Sequence, residues 1–157
     1  MATLKDRSKA KLCVLPDVTI HYPTNVQIGY NVFVNRGVQI DAPSSICIGD
    51  GTLIGPHVVI NSGNHRFDAP DLWIRNQGHD LRPIIIGSDV WIGANVTILA
   101  GAIVGDGCVI GAGAVVSGKI PANSVATGIP ARAVRRRGRR PTAENTEESN
   151  TAHMDHD

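Results

Sequence analysis

The chain has 157 residues, 42% hydrophobic and 18% charged, with a formal net charge of +1 at neutral pH. That length holds one domain, and no apolar run approaches the ~20 residues of a membrane span. The odd number of widely spaced cysteines (Cys13, Cys47 and Cys108) argues against a disulfide framework. With no apolar signal core in the first residues, the cytoplasm is the expected compartment.

Residues 1–13 form a lead-in without repeat. From Val14 onward aliphatic residues recur every six positions: Val14 and Ile20, then Ile28, Val34 and Ile40, then Ile48, Ile54 and Ile60. Two steps of eight interrupt the beat, at Pro23 and Thr24 and again at Pro43 and Ser44, and both read as two-residue bulges at corners. A period of six fits neither a helix, near 3.6, nor an alternating strand, at two. It fits a short strand plus a turn, stacked as a solenoid around a continuous core. Small or β-branched residues two positions before the anchors, among them Val32, Val38, Thr52, Val58 and Cys108, are expected to share that interior. Gly or Asn follows many anchors, as at Gly29, Asn35, Gly49, Gly55, Gly93 and Gly111, and these types suit the positive φ of a tight corner.

The repeat breaks once, over 61–83. This stretch gathers His65, Arg66, Asp68, Asp71, Trp73, Arg75 and His79. A loop that long in a regular scaffold is usually functional. The beat then resumes at Ile86, Ile92, Ile98, Val104, Ile110 and Val116, so the repeats span 14–120. An exit segment, 121–140, holds Pro121 and Pro130, has helical composition from Ala131, and crowds Arg132, Arg135, Arg136, Arg137, Arg139 and Arg140 together. The arginines lack interleaved aromatics, which disfavours nucleic acid; contact with an anionic membrane surface stays open. Beyond them, 141–157 is polar and unpatterned and reads as disordered. Its His153 and His156 have no neighbouring core to fix them as metal ligands.

These repeats, with "DVWIGANVTIL" and "GAGAVV", resemble the hexapeptide-repeat acyltransferases, and most closely the sugar and polysaccharide O-acetyltransferases. The resemblance covers roughly 14–137. It implies an all-β fold, a left-handed parallel β-helix with three strands per coil of about eighteen residues and so four to five coils, ending in a short C-terminal helix. It further implies homotrimers with active sites between subunits, and acetyl-CoA as co-substrate without a metal. The acceptor would be a saccharide, free or part of a cell-surface polysaccharide or glycolipid. Those relatives carry a helical segment before the repeats that this chain lacks, which suggests a more open acceptor pocket.

Site residues follow from the same resemblance. Asn61 to His65 with Arg66, Phe67 and Asp68 looks like the segment bearing the catalytic His. Acyl transfer to a hydroxyl needs a group that accepts a proton near neutral pH, which makes His65 the expected base. Asn35 falls where sugar acetyltransferases contact the acceptor. Asp68 either orients the imidazole, meets a sugar hydroxyl, or belongs to a turn in "FDAPD". His79 is an acceptor contact, a second acid/base or a solvated side chain, and Trp73 either a stacking platform or a loop anchor. Trp91, Ala94 and Ala112 match the acetyl-CoA groove, where small residues let a thin ligand approach the backbone. Arg132 and Arg135 match phosphate-binding positions. Where many relatives read Thr-Lys-Asp this chain has Ser117, Gly118 and Lys119, which leaves open whether Lys119 replaces the family's lysine. Two other classes compete: a γ-type carbonic anhydrase, whose zinc-ligand spacing His57, His65 and His79 do not reproduce, and a non-catalytic scaffold.

Overall fold

The computed structural model describes residues 12–138. The start of the lead-in, Arg139, Arg140 and the acidic tail with His153 and His156 lie outside the described residues.

Each coil lays down three short strands, one on each side of a three-faced prism. The first coil holds β1 (Cys13–Val14), β2 (Thr19–His21) and β3 (Val26–Ile28); the second holds β4 (Phe33–Val34), β5 (Gln39–Asp41) and β6 (Ile46–Ile48). The third runs through β7 (Leu53–Ile54) and β8 (Val59–Asn61), leaves the prism as the pair β9 (Gly63–His65) and β10 (His79–Leu81), and returns as β11 (Ile84–Ile86). The fourth comprises β12 (Trp91–Ile92), β13 (Thr97–Ile98) and β14 (Ile103–Val104). The fifth comprises β15 (Val109–Ile110), β16 (Val115–Val116) and β17 (Lys119–Ile120), followed by β18 (Ser124–Thr127) and β19 (Arg132–Arg136). Three sheets result: β1-β4-β7-β12-β15-β18, β2-β5-β8-β13-β16 and β3-β6-β11-β14-β17, all parallel within these runs. Five coils are complete because Ile120 closes the last, standing four residues after Val116 and outside the regular beat.

The anchors line the interior as their spacing requires. Ile40, Ile54, Ile60, Ile92, Ile98 and Ile110 are fully buried, and so are Val32, Val38, Val58 and Cys108 two positions before an anchor. Stacked strands lie only about 4.8 Å apart, so the interior is a narrow column of interlocked aliphatics. Buried Thr52 satisfies its hydroxyl by donating to the Gly87 carbonyl at 3.0 Å. Val14 departs from the pattern: it sits on the terminal coil with no described coil below it and is exposed.

Two expectations are corrected. The glycines that follow the anchors do not have positive φ; the left-handed residues stand three positions after the anchor, as at Asn31, Gly37, Gly51, His57 and Asn95. What Gly55 and Gly93 provide is room. A Cβ on Gly55 would lie 2.8 Å from the Gly93 carbonyl carbon, and one on Gly93 would lie 2.7 Å from the Ala112 nitrogen, both backbone atoms of the next coil. The second correction concerns the C-terminal helix, which does not form among the described residues: Arg132–Arg136 is a strand, antiparallel to β18 with a register shift between Val125 and Ala126. The edge of β18 offers unpaired backbone groups, and pairing with them outweighs the modest helix propensity of an Ala- and Arg-rich segment.

Candidate functional site

Both bulges and the insertion fall at one corner, between the second and third sheets. In the first coil that corner is a 3₁₀ turn, Pro23–Asn25; in the second it passes Pro43 and Ser44; in the third it opens into 62–83. Asn25 donates to the Ala42 carbonyl at 2.9 Å, and Ser62 Oγ both donates to the Ser44 carbonyl at 2.8 Å and accepts from the Ser44 N–H at 2.9 Å. Ser62 is fully buried, so the root of the insertion is fixed to the coil beneath.

From that root the chain forms a β-ladder. β9 and β10 pair antiparallel, with His65 opposite His79 and Gly63 opposite Leu81. The Arg82 N–H donates to the Ser62 carbonyl at 3.0 Å, and the Arg66 N–H to the Gly78 carbonyl at 3.1 Å. Beyond His65, Gln77 braces the loop: its amide oxygen accepts from the Ala69 N–H, and its NH₂ donates to the Ala69 and Leu72 carbonyls, each at 2.9 Å. The Leu72 N–H donates to the Ala69 carbonyl at 3.1 Å, so "FDAPD" does make a turn.

His65 stands between two adjoining cavities. One, of about 420 Å³, is lined by Tyr22, Asp41, Asn61, Asn64, His65 and His79, within the range of small-ligand sites. The other runs outward past Arg66, Phe67 and Asp68. The imidazoles of His65 and His79 are in contact, with ring centroids 4.7 Å apart and planes tilted by 40°. Asp68 shares the outer cavity but forms no ion pair with His65.

Asp41 lines the inner cavity beside His65, and the sequence reading missed it. It follows an anchor on β5, between His21 on β2 and Asn61 on β8, so the three side chains form a polar ladder down the corner. Its Oδ1 is buried and without a hydrogen-bond partner, 3.8 Å from His21 Nδ1. A polar residue beside an anchor, in the coil below the insertion, was the available signal.

Other expected residues lie elsewhere. Asn35 sits at a different corner, after β4, where its Oδ1 accepts from the Arg36 N–H at 2.8 Å. Trp73 is highly exposed, just before the 3₁₀ turn Ile74–Asn76. Trp91 projects from the first sheet between Leu53 and Val109. Ala94 and Ala112 occupy equivalent corners of successive coils, joined by the Gly113 N–H donating to the Ala94 carbonyl at 2.9 Å. Lys119 and Arg132 line one small cavity, with Ser117 exposed nearby. Arg135 is exposed on β19 opposite Val125. Among the described residues no group of three or more His, Cys, Asp or Glu gathers to hold a metal, and no helix is long and apolar enough to cross a membrane.

Residues 83–118 match the family model described as bacterial transferase hexapeptide (six repeats). The galactoside O-acetyltransferase of Escherichia coli is 39% identical over 123 residues, covering 78% of this chain and 59% of that protein. The chain thus spans less than two thirds of that relative. A maltose O-acetyltransferase of Clostridium difficile superposes with a TM-score of 0.76 at 36% identity, over 82% of this chain and 68% of the other. A hexapeptide-repeat acetyltransferase of Vibrio cholerae, complexed with acetyl coenzyme A, gives a TM-score of 0.74 at 34% identity, over 79% and 67%.

Proposed function

Since the chain belongs to the hexapeptide-repeat acetyltransferase family, we propose that it transfers the acetyl group of acetyl-CoA to a hydroxyl of a saccharide. The observation that carries this reading is His65, held on a hydrogen-bonded β-ladder and facing a polar cavity of ligand size. His65 accepts the proton of the acceptor hydroxyl as its oxygen attacks the thioester carbonyl carbon. The C–S bond breaks as the tetrahedral intermediate collapses, and the imidazolium returns the proton to the departing thiolate. Transfer is direct, within a ternary complex. None of Cys13, Cys47 and Cys108 lines the cavities beside His65, and no acyl-enzyme is needed.

The acceptor enters over Tyr22, Asp41 and Asn61, where the half-exposed Asp41 carboxylate on the cavity wall offers an acceptor to a sugar hydroxyl. Asp68 and Trp73 border the outer approach, and Asn35 reaches the acceptor from another copy, since it lies at a different corner. The outward exposure of Phe67 and Trp73 suits a larger acceptor, such as a unit of a cell-surface polysaccharide or glycolipid. Acetyl-CoA lies along the outside of the later coils. Trp91 flanks the pantetheine arm, Ala94 and Ala112 admit it to the backbone, and Ser117, Lys119, Arg132 and Arg135 serve its nucleotide end. Backbone amides at the Ala94 and Ala112 corners stabilise the oxyanion. The protein works as a homotrimer in the cytoplasm, with the cavity completed by a neighbouring copy.

Acetyl-CoA binding tests this reading without knowledge of the acceptor. At ~100 times its dissociation constant, acetyl-CoA should stabilise the protein by about 2.7 kcal/mol, seen as a saturable rise in melting temperature. Absence of any rise at millimolar acetyl-CoA would remove the proposal.

A further inference from the structure

We propose that His79 is a positioning residue for acyl transfer, its ring holding the His65 imidazole in the orientation that meets the acceptor hydroxyl. This rests on His65 as the base. A general base must present its accepting nitrogen within hydrogen-bond reach of the proton it removes, and a third group commonly orients it through the other nitrogen. Among the described residues no carboxylate or carbonyl does so for His65: it forms no ion pair, and its side chain makes no hydrogen bond. Its ring instead packs against that of His79, at 4.7 Å between centroids.

The backbone makes that contact dependable. The two histidines are directly opposed in the β9–β10 ladder. The ladder is closed by Arg82 to Ser62 at one end and by Arg66 to Gly78 at the other. His79 is therefore fixed relative to the coil while its ring stays open to solvent, and the His65 ring takes its tilt from it. Truncating His79 leaves an exposed imidazole free to change rotamer.

Two measurements on the whole 157-residue chain test this. The first is thiol release from acetyl-CoA, with maltose and methyl β-galactoside as acceptor probes. His79→Ala should lower kcat about tenfold to a hundredfold, with both KM values and the melting temperature unchanged. His79→Phe, which keeps a ring, should recover most of the loss. The second needs no acceptor: crystal structures should show one His65 rotamer in wild type and His79→Phe, and several in His79→Ala. The proposal is overturned if His79→Ala raises the acceptor KM at constant kcat, which marks an acceptor contact. It is also overturned if His79→Phe is as impaired as His79→Ala, which assigns the work to the ring nitrogens, or if His65 keeps one rotamer in His79→Ala. Full turnover by His65→Ala would instead remove the base reading, while the rotamer comparison would still decide whether His79 orders His65.

Discussion

Three side chains at one corner divide the work of the candidate site. In the proposed mechanism His65 moves the proton, His79 orders the His65 ring, and Asp41 meets the acceptor. Asp41→Asn keeps size and hydrogen-bonding capacity but removes the charge beside His21, so its expected effect is a raised acceptor KM with unchanged acetyl-CoA affinity, measured by initial rates. Losing one charge-assisted hydrogen bond corresponds to about 1.5–3 kcal/mol, roughly ten- to a hundredfold. Equal KM values would place the acceptor elsewhere. His65 was legible as a candidate because its segment, within the one break of the repeat, resembles the one that bears the catalytic His in sugar O-acetyltransferases. Asp41 stayed hidden because only the stacking of coils reveals that it lies beneath the insertion, in register with Asn61.

Strands of two or three residues hold this fold, and each is specified by its inward anchor rather than by strand propensity. That is why the period of six was legible, and why the corners were misread. Periodicity reports which side chains point inward; it does not report which residue turns the chain. The turning residues lie three positions past the anchor, and the glycine after the anchor answers to the spacing between coils. Paired substitutions separate the two roles. Gly55→Ala should be the more damaging, at about 3 kcal/mol, the upper end of overpacking costs, because its Cβ meets rigid backbone atoms of Gly93 and its neighbours. Gly51→Ala meets nothing within 4 Å and bears only the left-handed strain of φ +68°, about 1–2 kcal/mol. Denaturant midpoints of the two should differ in that order; equal or reversed midpoints would contradict the stacking argument. Edge pairing also replaced the expected terminal helix. Arg137 pins that edge by donating to the Asp89 carboxylate at 2.6 Å and the Gly107 carbonyl at 3.1 Å. Because the pair is largely exposed, Arg137→Ala should cost no more than about 1 kcal/mol in denaturant unfolding.

A solenoid is stabilised coil by coil, so its ends and middle differ. Val14 is exposed and Val18, Ile20, Val26 and Ile28 are only partly buried, whereas the anchors from Val34 to Val116 are buried. Amide exchange should therefore be faster in β1–β3 than in β8, β11 and β13, and uniform protection would contradict this gradient. At the same scale, sedimentation should give three times the chain mass if the cavity is completed by a neighbouring copy. If His65 is the base for transfer of acetyl to a sugar hydroxyl, its loss must slow product formation. Mass spectrometry of acetylated product from acetyl-CoA and a panel of saccharides measures this, comparing wild type with His65→Ala at equal folded concentration. Wild type should give a product heavier by one acetyl group, about 42 Da, and the variant should make it ~10²–10⁴-fold more slowly. Product formed at the wild-type rate by His65→Ala would contradict it.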